Sequence, residues 1–197
     1  MSKTFVPSRT LALAGAASAA VLLTACGSMS SSAPMGSAMT VAPFSQASLP
    51  AAVQVPAGNR VALETVGSGD ITYECRDKAG MPGQTEWVFV GPEAVLKDRA
   101  GRTVGRYYGP PATWESSDGS KLTATQVAVA PAGTGNLPYQ LVKANPAMGS
   151  GAMTGVTYIQ RVALQGGVAP TSACMPANKG QKATVKYQAD YIFWKAA

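Results

Sequence analysis

The sequence predicts an all-β fold: an antiparallel β-sandwich or barrel-like single domain, behind a signal peptide and a flexible tether. Short apolar segments recur from about Val53 onward and are separated by Gly, Pro, Asn or Asp. Several of them alternate apolar and polar residues, as half-buried strands do, and no helical periodicity competes. A composition with 46% hydrophobic and 13% charged residues, 21 Gly and 14 Pro also favours a turn-rich β domain.

The first 25 residues have the pattern of an export signal. Lys3 and Arg9 precede an uncharged Ala/Leu/Val run over residues 11–23, which is shorter than the roughly 20 residues of a membrane span. The end of this run, Leu23-Thr24-Ala25-Cys26, resembles the bacterial lipobox, in which the cysteine is acylated and the bond before it is cut. We therefore expect residues 1–25 to be removed and Cys26 to be the lipidation site. The alternative is an ordinary signal peptide with an incidental cysteine.

Residues 26–50 are predicted to be a lipid-anchored tether. They consist mainly of Ser, Ala, Gly, Met and Pro, and no charged residue occurs between Cys26 and Arg60. No Asp follows the cysteine, which favours an outer-membrane lipoprotein facing the periplasm or the cell surface. A flexible coil of this length reaches on the order of 27 Å. The β-rich domain is then expected to span residues 51–197.

The strands are predicted from their period and from the turns between them. In DITYECR, Ile71, Tyr73 and Cys75 share one face. Hairpin turns are expected at residues 98–101 and at Asp118-Gly119. Further strands are expected in EWVFVG, LPYQLVKA, VTYIQRVAL and ATVKYQADYIFW, the last with Val185, Tyr187, Ala189, Tyr191 and Phe193 on one face.

Cys75 and Cys174 are the two cysteines left once Cys26 is assigned to lipid. An exported domain in an oxidising compartment favours a disulfide between them. Such a bridge would pin the loop before the last strand onto the sheet. Two free buried thiols are the alternative.

Nearly the whole domain resembles an uncharacterised family, domain of unknown function 3455. The resemblance is carried by VPAGNRVAL, YECR, LPYQLVKA, TYIQRVALQGGVAP, Cys174, YQADYIFW and the long segment WVFVGPEAVLKDRAGRTVGRYYGPPATWESSDGS. It implies a mostly β domain of exported proteins and brings no established activity, substrate or catalytic residue. The family often has a histidine where this chain has Tyr107, so an acid or base role of that histidine does not apply here.

The candidate ligand-binding residues are Tyr107, Tyr108, Trp114 and Glu115. Two adjacent tyrosines, a Gly-Pro-Pro turn and a tryptophan can form an aromatic shelf that stacks on sugars or peptides. Such a shelf would expose at least two of the three rings on one side of the domain. Adjacent strand residues point to opposite faces, however, so packing of at least one ring in the core is the competing interpretation.

A cation within an apolar strand, Arg161, is expected to form a structural ion pair with Glu115 or Asp190.

The composition excludes several classes of function. The chain has no histidine, which excludes a Ser/His/Asp triad and most zinc sites, and we expect no metal and no cofactor. Without Lys3 and Arg9, the 16 basic side chains fall to 14 against 10 acidic ones, and they are scattered, so nucleic acid is not an expected partner.

Two functional interpretations remain. The first is a non-enzymatic envelope lipoprotein, attached to the membrane by its lipid anchor, that has a structural role or binds a glycan, peptidoglycan or envelope protein. The second is a carboxylate-dependent hydrolase of an envelope polysaccharide, for which Glu115 and Asp118 would have to converge in a cleft.

Overall fold

The structure, a computed structural model, describes residues 42–197. The predicted signal peptide, Cys26 and the first part of the predicted tether lie outside these residues. Within the described range, no helix has the length and hydropathy of a membrane span.

Eight antiparallel strands form one sheet that closes into a barrel, because β8 pairs with β1 as well as with β7. The all-β prediction is confirmed, and of its two architectures the barrel is the one observed. Both predicted hairpin turns are present, between β2 and β3 and between β4 and β5. The strands are β1 (Asn59–Asp77), β2 (Thr85–Lys97), β3 (Thr103–Tyr108), β4 (Thr113–Ser116), β5 (Lys121–Ala130), β6 (Tyr139–Ala144), β7 (Val156–Gly166) and β8 (Lys182–Ala196).

Inward-facing side chains of all eight strands fill the barrel. The alternation predicted for the last strand is confirmed, since the five apolar residues predicted to share one face all belong to this core or pack against it. Gly67 on β1 faces the same interior, where a Cβ atom would lie 2.6 Å from a ring carbon of Tyr191. Glycine at this position therefore lets the buried tyrosine ring lie directly against the strand.

A second apolar cluster lies outside the barrel. Here residues 42–58, which we call the strap, pack Phe44, Leu49, Val53 and Val55 against the outer faces of β5 to β8 and the first part of β1. Because residues 42–50 belong to this packed layer, the prediction that the tether extends to residue 50 is wrong for them, and the compact unit begins at Ala42.

Gln160 on β7 joins the strap to the barrel by hydrogen bonds. Its Nε2 donates to Val53 O at 2.7 Å and to Gln46 Oε1 at 3.0 Å, and Trp194 Nε1 donates to its Oε1 at 2.9 Å. Gln160 is fully buried, and both ends of its amide are satisfied. The strap is thus fixed by specific polar contacts as well as by apolar packing.

The predicted disulfide between Cys75 and Cys174 is present, with Cα atoms 5.5 Å apart. It ties the β7–β8 loop to the end of β1. Trp87 Nε1 donates to Ser172 O at 2.8 Å, and Thr85 Oγ1 donates to Cys174 O at 2.8 Å, so the same loop is also held to β2.

Candidate functional site

The predicted three-ring shelf is wrong, because Tyr107 and Trp114 are buried inside the barrel. Their exposed fractions are 5% and 2%, and their rings stack with centroids 4.6 Å apart. The two residues are register partners on β3 and β4, so the inward orientation of one implies that of the other. Tyr191 completes the cluster, with its ring 5.0 Å from that of Tyr107.

Tyr108 and Glu115 instead meet on the outer face of the barrel, together with Arg106. The Tyr108 hydroxyl donates to Glu115 Oε2 at 2.7 Å, and Arg106 Nη2 donates to the same oxygen at 3.0 Å. The Arg106 guanidinium also lies over the Tyr108 ring, 4.7 Å from its centroid. We call these three residues the outer cluster. Strand register brings these residues together, because Arg106 on β3 is the direct register partner of Glu115 on β4.

Hydrogen bonding within the outer cluster sets the charge state of its members. The Tyr108 hydroxyl, and then the Arg106 guanidinium, hold the pKa of Glu115 below its usual value. The bond to the carboxylate in turn raises the pKa of Tyr108. At neutral pH Glu115 is therefore an anion and Tyr108 a neutral phenol, an arrangement suited to binding and unsuited to proton donation by Glu115.

A groove of about 530 Å³ runs beside the outer cluster. Its polar lining includes Ser68, Asp70, Glu93, Arg106 and Tyr108, which come from β1, β2 and β3. Asp70 and Glu93 are register partners, and Lys186 pairs with Asp70 Oδ1 at 2.8 Å. The sequence gives no signal for this groove, because it depends on which strands are neighbours.

Asp118 has a structural role and does not share partners with Glu115. Its Oδ1 accepts bonds from the Ser120 hydroxyl at 2.6 Å and from the Ser120 N–H at 2.9 Å, and its Oδ2 accepts from Ala152 N at 2.7 Å. These bonds, the Ser120 hydroxyl first, lower the pKa of Asp118 to about 2. An acid this strong holds no proton at neutral pH, so the predicted Glu115/Asp118 pair lacks a general acid.

The expected ion pair of Arg161 is also wrong. Glu115 pairs with Arg106, and Asp190 pairs with Arg99 at 2.7 Å, whereas Arg161 donates to Pro138 O. Arg161 faces the inside of the barrel and the two carboxylates face outward, which keeps them apart. Over residues 42–197, no three His, Cys, Asp or Glu side chains gather as a metal site would require.

Comparison with known proteins gives one match. Residues 56–195 match the model of a family described as Protein of unknown function (DUF3455). No match was found among curated proteins or among solved structures. The matched range covers β1 to β8 almost completely and begins within the strap.

Proposed function

The chain belongs to the DUF3455 family, and we propose that it is a lipid-anchored domain of the bacterial cell envelope that binds a polar ligand, such as a glycan or a peptidoglycan fragment, in the groove beside the outer cluster. The anchor is supported by the apolar run that ends at Cys26. Export is supported by the disulfide between Cys75 and Cys174, since such bonds persist in oxidising compartments.

The observation that carries the binding proposal is the outer cluster itself. Arg106, Tyr108 and Glu115 hold one another in fixed positions at the edge of an accessible groove. Side chains already fixed before binding lose little conformational entropy when a ligand arrives. Charged groups and an aromatic ring together provide hydrogen bonds and a stacking surface, the combination that a hydroxyl-rich ligand requires.

The position of the strap is consistent with such a role. It packs on the outer faces of β5 to β8 and contacts Val61 and Glu64 of β1, while the groove is lined by residues 68–70 of β1 together with β2 and β3. No residue of the strap lines the groove.

Binding is tested with peptidoglycan fragments and glycans on the exported chain. Arg106→Ala and Tyr108→Ala should each weaken binding about tenfold or more, because a charge-assisted hydrogen bond contributes about 1.5 to 3 kcal/mol. Lys143→Ala, an exposed change on β6, is the matched control and should leave affinity unchanged. If the folded Arg106→Ala and Tyr108→Ala variants bind the ligand with unchanged affinity, the groove is refuted as the binding site. Polymer turnover that Glu93→Gln abolishes would favour the hydrolase instead.

Anchoring is tested separately by replacing Cys26 with serine. The variant is expected to accumulate as an unprocessed or soluble form that no longer partitions into detergent. If the same membrane-bound, detergent-partitioning product is recovered, the lipid anchor is refuted, whatever the binding experiment gives.

A further inference from the structure

The barrel wall has a gap on one side, which we call the notch. β2 pairs with β3 only from Glu93 onward, and β4 pairs with β5 only over residues 121–123. Residues 85–92 of β2 and 125–130 of β5 therefore have a strand neighbour on one side only. Between these two edges lies the short turn at residues 109–112, which joins β3 to β4. At one end of the notch the β7–β8 loop accepts hydrogen bonds from Thr85 and Trp87, and Phe89 and Val129 on its two edges are exposed.

Arg161 lies on the inner wall behind the notch. It occupies one register row with Val129, Gln140 and Tyr191, on β5, β6 and β8. Tyr191 is fully inside the barrel, so the row faces inward. The Nε and Nη2 groups of Arg161 donate to Pro138 O at 3.3 and 3.0 Å. In the part of the chain that the structure describes, its Nη1 has no acceptor, and each of the ion pairs there involves another cation.

Hydrogen-bond donors surround this uncompensated charge. The hydroxyl oxygens of Tyr187 and Tyr191 are 3.3 Å apart, and either O–H can donate to the other. The Trp114 Nε1 is buried and without a partner among residues 42–197. Burial raises the pKa of both tyrosines, against the opposing charge of Arg161, so their hydroxyls remain protonated donors. Within residues 42–197 the interior therefore offers a cation and hydrogen-bond donors, and no carboxylate pairs with Arg161 there.

Exposed apolar side chains border the notch. Phe89 is 49% exposed on the inner side of β2, where its ring contacts Tyr73 edge-to-face at 6.0 Å. Val127 and Val129 on β5 are 55% and 46% exposed. Val129 shares its row with Arg161, with Gln140 on the strand between them, so an apolar surface lies two strands, about 10 Å, from the cation. Apolar groups that are left exposed beside a charged group are suited to an amphipathic ligand.

We propose that the notch binds a small organic carboxylate with an apolar chain, whose charged group pairs with Arg161 and whose chain lies against Val129 and Phe89. A carboxylate matches the planar guanidinium and can also accept from a tyrosine hydroxyl. The site is inside the barrel wall and shares no residue with the outer cluster. It therefore stands or fails independently of the proposed glycan groove.

The test measures binding of decanoate, acetate, 1-decanol and decyl phosphate to the soluble form of the chain by calorimetry. All proteins carry Cys26→Ser, so that no acyl chain of their own competes. Decanoate should bind at least about tenfold more tightly than acetate, which lacks the chain, and than decanol, which lacks the charge. Equal affinity for decanoate and decanol would overturn the proposal, and preference for decyl phosphate would overturn the choice of carboxylate.

Variants locate the site. Arg161→Gln should weaken decanoate binding about tenfold or more and leave decanol binding unchanged, while Arg60→Gln, an exposed change at the other end of the barrel, is the matched control. Val129→Ser, at a position that is 46% exposed, should weaken decanoate binding several-fold and leave acetate binding unchanged. If Arg161→Gln does not fold, the Val129→Ser result decides. Decanoate affinity unaffected by Val129→Ser would then overturn the proposal.

Discussion

Gln160 and Arg161 are neighbours on β7, and they point to opposite sides of the barrel wall. On the outer side, Gln160 is fully buried under the strap, and its amide contacts Gln46, Val53 and Trp194. On the inner side, Arg161 is bound to a single carbonyl oxygen, that of Pro138, and to no carboxylate in the described range. Both ends of the Gln160 amide are bonded within the protein, whereas one nitrogen of the Arg161 guanidinium has no acceptor among the described residues.

This difference separates a structural polar group from a candidate binding group. Removing a buried group whose partners depend on it leaves those partners unsatisfied, which is costly to folding. A cation that faces no anion makes little contribution to folding and remains available to a ligand. The same criterion distinguishes Asp118, whose two oxygens hold a loop, from the carboxylate of Glu93 at the open groove.

The largest loss of stability is expected on the side of the notch, where the disulfide holds the β7–β8 loop. Replacing both Cys75 and Cys174 by alanine should lower the free energy of unfolding by about 3 to 5 kcal/mol, because the bridge closes a long loop in the unfolded chain. Urea denaturation measures the change. A loss below about 1 kcal/mol would mean that the loop is held mainly by its bonds to Thr85 and Trp87.

On the strap side, Gln160→Leu should lower the free energy of unfolding by about 3 kcal/mol, because Trp194 Nε1 and the Val53 carbonyl would lose their partner while still buried. Gln165→Leu, an exposed change on the same strand, is the control and should stay within about 0.5 kcal/mol of the unmodified chain. Similar values for the two variants in urea denaturation would contradict the structural role of Gln160.

The contribution of the Asp118 carboxylate to stability can be measured from its dependence on pH. Its pKa falls from 3.8 to about 2 on folding, so its stabilising contribution is present above pH 4 and is lost as the pH falls toward 2. Asp118→Asn should therefore reduce the decline in unfolding free energy between pH 4 and pH 2. An identical decline in both proteins would show that the loop bonds of Asp118 do not depend on its charge.

The smallest expected effect on stability is that of Arg161→Leu, about 1 kcal/mol or less, because a single neutral acceptor is involved. Chemical denaturation beside Gln160→Leu gives the direct contrast. A loss from Arg161→Leu as large as that from Gln160→Leu would erase the distinction between the two sides of the wall.

Local patterns in the sequence predicted part of this molecule. Alternation along the last strand identified the inward set that ends at Phe193, the turn residues located both hairpins, and the cysteine count identified the disulfide. These features depend on neighbours in sequence or on the compartment. The burial of Trp114 follows from its pairing with Tyr107, and alternation within one strand does not say which face is inside.

Local sequence patterns also could not predict the strap or the partners of Arg161, because both depend on contacts between distant strands. Residues 42–50 have no periodicity, and they pack because Phe44 and Leu49 meet an apolar outer face assembled from five strands. Asp190 and Arg161 belong to adjacent strands, yet they face opposite sides of the wall. Barrel closure decides both outcomes, and it is a property of long-range register.

The claim that Arg161 is free for binding, whereas Gln160 is committed to folding, is tested most directly by measuring how a ligand changes the free energy of unfolding. A ligand that binds only the folded state raises the free energy of unfolding by an amount set by its concentration and affinity, about 2.7 kcal/mol at a hundred times its dissociation constant. Urea denaturation with and without decanoate should show stabilisation of the Cys26→Ser chain, and little or none when Arg161→Gln is added. Equal stabilisation of both proteins would contradict the account.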